Sequence, residues 1–294
     1  MSKRPFKRVA LIGIGLIGSS LARVLRRDAP DTRIVACARR SETLDAVRRL
    51  GIADATTDDP AEAVADADLV VIATPLSAYA EVARRIAPVL KTGAIVTDVG
   101  SVKEAAIREL QPLLPERVHF VPGHPVAGTE HSGPESGFAE LFRDRWCILT
   151  PLPETAPEAL ARVQALWEMA GMRVTVMPAE HHDKVLAVTS HLPHLIAYTI
   201  VGTATELGED LQSEVVAYSA GGFRDFTRIA ASDPVMWRDI FLANREAVLE
   251  LLQRFSEDLT ALQRAIRRGD GEVLHEWFIR TRAIRRSIIE AKQA

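Results

Sequence analysis

The amino-acid sequence predicts an α/β fold, a doubly wound and mostly parallel sheet, followed by an all-α C-terminal domain. Three observations carry this. From residue 8 to about 177, short β-branched runs alternate with amphipathic stretches, the order that strand–helix–strand crossovers produce. Several of those runs are apolar throughout, as strands buried on both faces must be. From about residue 179 the alternation stops and long helical periods take over. The expected domains are therefore 1–178 and 179–294.

The first strand, RVALI (8–12), runs into Gly13-Ile14-Gly15-Leu16-Ile17-Gly18 and then the helical pattern SLARVLRR. Alone such a glycine pattern is weak, but a strand before it and a helix after it are the setting in which it binds a dinucleotide. Gly13 permits the tight turn, Gly15 lets a pyrophosphate approach the backbone, and Gly18 lets helix and strand pack closely. Leu16 and Ile17 complete the loop, at a helix N-terminus whose free N–H groups suit phosphates. This is a Rossmann-type beginning; the competing reading is a tight turn without a ligand.

The second strand, RIVAC (33–37), should end at an acidic residue that holds the ribose 2′-hydroxyl of NAD. The sequence has Ala38 there, then Arg39, Arg40 and Ser41. Two guanidiniums and a hydroxyl suit a 2′-phosphate, which favours NADP over NAD. A solvated arginine pair is the plain alternative. DLVVIAT (68–74) is the third strand, and Thr74 and Pro75 at its end are expected to line the dinucleotide site. AIVTDVG (94–100), VHFVPG (118–123), WCILTP (146–151) and RVTVM (173–177) complete the strands, with helical patterns such as AYAEVARRIAPVL and EALARVQALWEMAG between them.

VHFVPG leads into GHPVAGTEHSGPESGF (123–138), with four glycines, two prolines and almost nothing bulky to bury. This reads as a loop at the carboxyl end of a strand, where doubly wound proteins bind ligands. His124 stands between Gly123 and Pro125, and the proline biases it toward extended backbone. An imidazole so placed suits a general base near neutral pH, although a lone loop histidine is more often just a solvated one.

In the helical part, Asp233 and Pro234 form a start signal and Gly269 a stop. Trp237, Ile240, Phe241, Val248, Leu251, Leu252, Phe255, Leu259, Leu262 and Ile266 recur every three or four residues between them. One helix of about thirty residues is expected, and its length calls for a second subunit to pack on. His181, His182 and Asp183 read as the exposed start of a helix. His191 and His194 flank Leu192-Pro193 without a third spaced ligand, so no metal site is expected. Arg224 and Arg228 read equally well as a surface network with Asp225 and Glu214.

Composition sets the remaining bounds. At 47% hydrophobic and 26% charged residues the chain is an ordinary folded protein. A net charge of −3 implies no strongly basic face, so nucleic acid is not an expected partner. Cys37 and Cys147 lie in apolar runs and read as buried thiols. MSKRPFKR before VALIGIGLIGSSLA has the outline of a leader. Arg23, Arg26 and Arg27 follow at once, however, and about 14 apolar residues are too few to span a bilayer. A cytoplasmic chain without a membrane partner is expected.

Five motifs then come together: GxGLIGxS near the N-terminus, DVGSVK (98–103), GHPVAGTEHSG (123–133), SHLPH (190–194) and GGFRDFTRIAASDPVMW (221–237). Jointly they resemble the prephenate/arogenate (cyclohexadienyl) dehydrogenase family over nearly the whole chain. The resemblance implies a Rossmann domain followed by an all-helical dimerisation domain, and hence a homodimer. It implies NAD(P)-dependent oxidative decarboxylation of prephenate to 4-hydroxyphenylpyruvate, or of arogenate to tyrosine, in tyrosine biosynthesis. By position His124 matches the family's catalytic histidine, which bonds the ring 4-hydroxyl. Ser101 matches the serine that orients it beside the nicotinamide, and Arg228 the arginine that anchors a substrate carboxylate. Glu130, His194, Asp225 and Trp237 match other active-site positions. The departure is Ala38, where many relatives carry an aspartate; this bears on cofactor choice and not on the reaction. A non-catalytic NADP-binding sensor would have no use for a base and a carboxylate clamp. A β-hydroxyacid dehydrogenase would place a lysine on a helix of the second domain, where this chain has only Lys184 and Lys292.

Overall fold

The structure, a computed structural model, describes residues 6–205 and 221–290. Six parallel strands form the main sheet: β1 (Arg8–Ile12), β2 (Arg33–Cys37), β3 (Ala55–Thr57), β4 (Leu69–Ile72), β5 (Ile95–Asp98) and β6 (His119–Val121). Their order is β3-β2-β1-β4-β5-β6, so the chain reverses direction across the sheet between β1 and β4, where doubly wound folds open a crevice. Side chains alternate across the sheet. Val9 and Leu11 of β1 enter one apolar cluster, with Leu21, Leu25 and Trp167, while Ala10 and Ile12 enter another with Val70, Ile72 and Ile86. Burial on both faces is why these strands carry no polar alternation. β3, an edge strand of three half-buried residues, has too little apolar character for its sequence to show it.

VHFVPG is not one strand. β6 ends at Val121, and Pro122, which has no N–H for the ladder, separates it from β7 (Gly123–Pro125). β7 belongs to a second sheet, antiparallel to β8 (Trp146–Leu149), which in turn pairs parallel with β9 (Arg173–Val176). His124 is thus a strand residue and buried, at 6% exposure, rather than the first residue of an open loop.

The described fold divides into two compact units, Met1–Arg245 and Glu246–Ala294. The strands end at Val176, but the helices after them stay with the sheet as far as Arg245. These are α7 (Ala179–Leu186), a π-helical turn (Ala187–His191), α8 (Leu192–Thr205), α9 (Gly221–Thr227) and α10 (Pro234–Ala243). They follow α1 (Leu16–Asp28), α2 (Ser41–Leu50), α3 (Pro60–Val64), α4 (Tyr79–Ile86), α5 (Lys103–Leu110) and α6 (Pro157–Met169) of the sheet layers. The widened turn has a local cause. Pro193 lacks an N–H to bond one turn back, and the Leu192 N–H reaches five residues to the Ala187 carbonyl instead.

The single helix expected from Pro234 is two. Asp233 caps α10 by accepting from Val235 and Met236 N–H, as expected, but the helix stops at Asn244 (φ −104°, ψ 32°). The buried Asn244 amide is engaged elsewhere, donating to the Asp183 carbonyl at 2.9 Å and to His191 Nδ1 at 3.0 Å. α11 (Arg245–Arg268) then runs to Gly269, whose φ of +68° ends it, and α12 (Gly271–Glu290) follows.

Candidate active site

The glycine loop is shaped by close approach. A Cβ on Gly13 (φ +97°) would lie 2.5 Å from the Ala73 carbonyl oxygen, and one on Gly18 would lie 2.2 Å from that of Gly13. Gly15 has nothing within 4 Å. Space therefore lies open in front of the α1 N-terminus, which has no side-chain cap and no acidic residue in its first turn. The Thr74 hydroxyl, just past β4, is buried without a partner among the described residues, and Pro75 beyond it is exposed. Uncapped N–H groups, an empty approach at Gly15 and an orphaned hydroxyl fit a dinucleotide pyrophosphate. Ala38 follows β2 directly, with its N–H on the Thr57 carbonyl at 3.3 Å. Arg39, Arg40 and Ser41 follow, all exposed, at the start of α2.

His124 is held from its backbone outward. Gly123 N–H donates to Asp98 Oδ1 at 3.2 Å, and its carbonyl accepts from Lys103 Nζ at 2.6 Å. Lys103 and Asp98 are themselves ion-paired and fully buried, and Asp98 also accepts from the Tyr79 hydroxyl and the Gly100 N–H. Both peptide groups before the imidazole are thereby fixed to the carboxyl end of β5. Burial pulls the Lys103 ammonium down despite Asp98 and pushes the Tyr79 hydroxyl well up. Ser101 lies between these two clamps, half-buried, two residues ahead of α5.

Behind the ring runs a chain that sequence reasoning missed. His124 Nδ1 lies 2.8 Å from His182 Nε2, and His182 Nδ1 lies 2.7 Å from Asp183 Oδ1. The Asp183 carboxylate also accepts from the Lys103 and Glu104 N–H groups at the start of α5, at 2.7 and 2.9 Å. His182 and Asp183 are 0% and 2% exposed; of the expected exposed trio only His181 is on the surface. Docking of α7 on α5 reverses the expectation, because two free helical N–H groups demand an acceptor and Asp183 supplies it. Burial is the main cause that holds His124 well below the usual histidine range, with His182, Lys103 and His191 adding to it. Burial also lowers His182, against the pull of Asp183, and takes His191 down to about 4.

The other expected site residues fall into two groups. Arg228 Nη1 is 3.2 Å from Glu130 Oε2, so the loop after His124 is joined to the segment after α9. His194 stacks on Trp237 with ring centroids 3.6 Å apart, and His194 Nδ1 lies 2.9 Å from the Ser190 carbonyl. Trp237 is also a core residue, packed with Val102, Ala105 and Ile240. Its Nε1 and the His191 Nε2 are buried donors with no partner among the described residues. Asp225 is not drawn in: its carboxylate is 80% exposed and lies 3.9 Å from Arg224. Glu214 lies outside the described residues. Cys37 and Cys147 are both buried thiols.

Comparison with known proteins gives two family matches. The nucleotide-binding domain of prephenate dehydrogenase matches residues 21–176, and its dimerization domain matches 178–280. The chain is 46% identical to a cyclohexadienyl dehydrogenase of Zymomonas mobilis over 273 residues, 93% of each chain. It is 34% identical to a prephenate dehydrogenase of Bacillus subtilis over 92% of this chain and 73% of that one. Among solved structures it is similar to prephenate dehydrogenase from Aquifex aeolicus in complex with hydroxyphenyl propionate and NAD+. The TM-score is 0.88 at 37% identity, covering 96% of this chain and 98% of that one.

Proposed function

This chain belongs to the prephenate dehydrogenase family, and we propose that it oxidises and decarboxylates prephenate or arogenate with His124 as the base. The observation that carries the proposal is the placement of His124. The two peptide groups before it are clamped through Gly123, its Nδ1 is engaged inside the protein, and its Nε2 has no hydrogen-bond partner among the described residues. The substrate class is a cyclohexadiene with a ring hydroxyl, a ring carboxylate and a three-carbon side chain.

The dinucleotide, when bound, supplies the hydride acceptor. His124 takes the proton of the ring hydroxyl as that carbon becomes a carbonyl. The bond to the ring carboxylate then breaks, CO2 leaves, and the bonding pair enters the ring. The ring becomes aromatic, and its oxygen, now a phenolate, recovers the proton from His124. Aromatisation drives the loss of CO2, so the protein has to orient the reactants and hold the charges. Arg228 anchors a substrate carboxylate, for which its planar fork is suited, and its bond to Glu130 keeps it near the loop that follows His124. Ser101 orients the substrate beside the cofactor, and His194 and Trp237 present a stacked aromatic wall.

NADP is the preferred cofactor in this reading. Ala38 leaves no carboxylate to meet a ribose hydroxyl or repel a 2′-phosphate, and Arg39, Arg40 and Ser41 are exposed beside it. The working unit is a homodimer built through the C-terminal helices. The helical run Ala179–Ala204 is apolar enough, by length and composition alone, to cross a membrane, yet only 22% of its most apolar 18-residue stretch is buried; a second copy of the helices would cover it. With a net charge of −3 and a biosynthetic substrate, we propose a cytoplasmic location. Replacing the base is the test. His124→Asn should lower kcat by about two to four orders of magnitude and leave substrate KM within a few-fold of wild type; near-normal turnover would remove His124 from the mechanism.

A further inference from the structure

We propose that His182 and Asp183 are positioning residues that fix His124 in one tautomer, with hydrogen on Nδ1 and a bare Nε2 turned to the substrate. This deepens the reading of His124 as the base and rests on it. Asp183 sets the direction. Three donors converge on its carboxylate: the Lys103 N–H at 2.7 Å and the His182 ring at 2.7 Å on Oδ1, and the Glu104 N–H at 2.9 Å on Oδ2. An ionised carboxylate only accepts, so His182 Nδ1 carries hydrogen. Burial keeps His182 neutral, and a neutral imidazole has one N–H. Its Nε2 therefore has a lone pair and no hydrogen. That nitrogen stands 2.8 Å from His124 Nδ1, which must donate. His124 is neutral by burial as well, so its single hydrogen is used on Nδ1 and Nε2 is left as the basic nitrogen.

The surrounding groups do not offer another solution. Lys103 and Asp98 satisfy each other and the Gly123 backbone. His191 Nδ1 takes its hydrogen bond from Asn244. The Cys147 thiol on β8 is pushed up by burial and stays protonated. Among the described residues, then, His182 Nε2 is the acceptor that His124 Nδ1 meets. Free imidazole side chains in water favour hydrogen on Nε2, the form that cannot take a substrate proton. When His124 becomes charged in turnover, its Nδ1–H still donates to neutral His182, with the Asp183 carboxylate one ring further on. No proton has to travel along the chain, because the chain orients and stabilises.

Ring-15N NMR of the histidine-labelled full chain near neutral pH decides this, with the His124 signals identified by their absence in His124→Asn. The expected wild-type spectrum shows His124 protonated at Nδ1 and bare at Nε2. In His182→Leu, which removes the acceptor, His124 should revert to Nε2–H. Its kcat should fall roughly ten- to a hundredfold with substrate KM nearly unchanged. His182→Gln, whose amide oxygen reaches the same place, should recover most of that loss. Hydrogen on His124 Nε2 in the wild type would overturn the proposal, and so would a leucine variant with wild-type tautomer and kcat. If the leucine variant does not fold, the wild-type spectrum alone gives the answer. Full turnover with Nε2–H at His124 counts against the positioning role alone. The expected tautomer in a chain that turns over neither substrate counts against the enzyme reading instead.

Discussion

Three histidines are buried, His124 against His182 and His191 against Asn244 and Trp237, and all three hold their protons less tightly than in the unfolded chain. A histidine with a lowered folded pKa binds more protons unfolded than folded, so folding weakens as pH falls toward the folded value. Their contribution is fully present above about 6.5, the ordinary histidine value, and is lost as pH falls toward the value of about 4 reached by His191. The thermal midpoint should therefore decline steadily as pH drops from about 6.5. His191→Gln, which has no proton to gain, should flatten part of that slope; an unchanged midpoint down to the carboxylate range would contradict it. At this scale the sequence was half legible. His124 stood out because Gly123 and Pro125 leave it isolated. His182 and Asp183 did not, because their burial comes from α7 meeting the open N-terminus of α5, about eighty positions away in the chain, and adjacency alone does not reveal such a meeting.

At the scale of elements, the turn from β1 into α1 separates folding from binding within one motif. Gly18→Ala would force a methyl to 2.2 Å from the Gly13 carbonyl, backbone against backbone. Such overpacking costs about 1–3 kcal/mol, and the midpoint of denaturant unfolding should drop accordingly. Gly15→Ala meets nothing and should keep wild-type stability while raising cofactor KM roughly tenfold or more, since the methyl occupies the path of the pyrophosphate. Equal effects of the two changes on stability would contradict the division of labour. Strand and helix periods gave most of the sheet and the glycine loop. What they did not show were interruptions with tertiary causes: Pro122 passing the chain from one sheet to another, and Asn244 leaving its helix to bond Asp183 and His191. Neither break alters the hydrophobic pattern around it, so periodicity runs straight through both.

For the molecule as a whole, the C-terminal helices are short of partners. Leu249, Leu259 and Ile266 on α11 and Phe278, Ile279 and Ile284 on α12 are all more than half exposed, more apolar surface than a soluble monomer usually leaves uncovered. Light scattering should return about twice the 32.2 kDa chain mass; a value near one chain would rule out the dimer. The alternation of strands and helices, then helices alone, was readable from the sequence. Cofactor and substrate choice were less readable, since each turns on a few side chains, Ala38 to Ser41 for one. The most direct test of the account follows reduced-nicotinamide absorbance together with released CO2, for prephenate and arogenate, each with NADP and with NAD. We predict one CO2 for each reduced nicotinamide with at least one of the two substrates, and a higher kcat/KM with NADP. Reduced nicotinamide without CO2, or neither product in any of the four combinations, would contradict it.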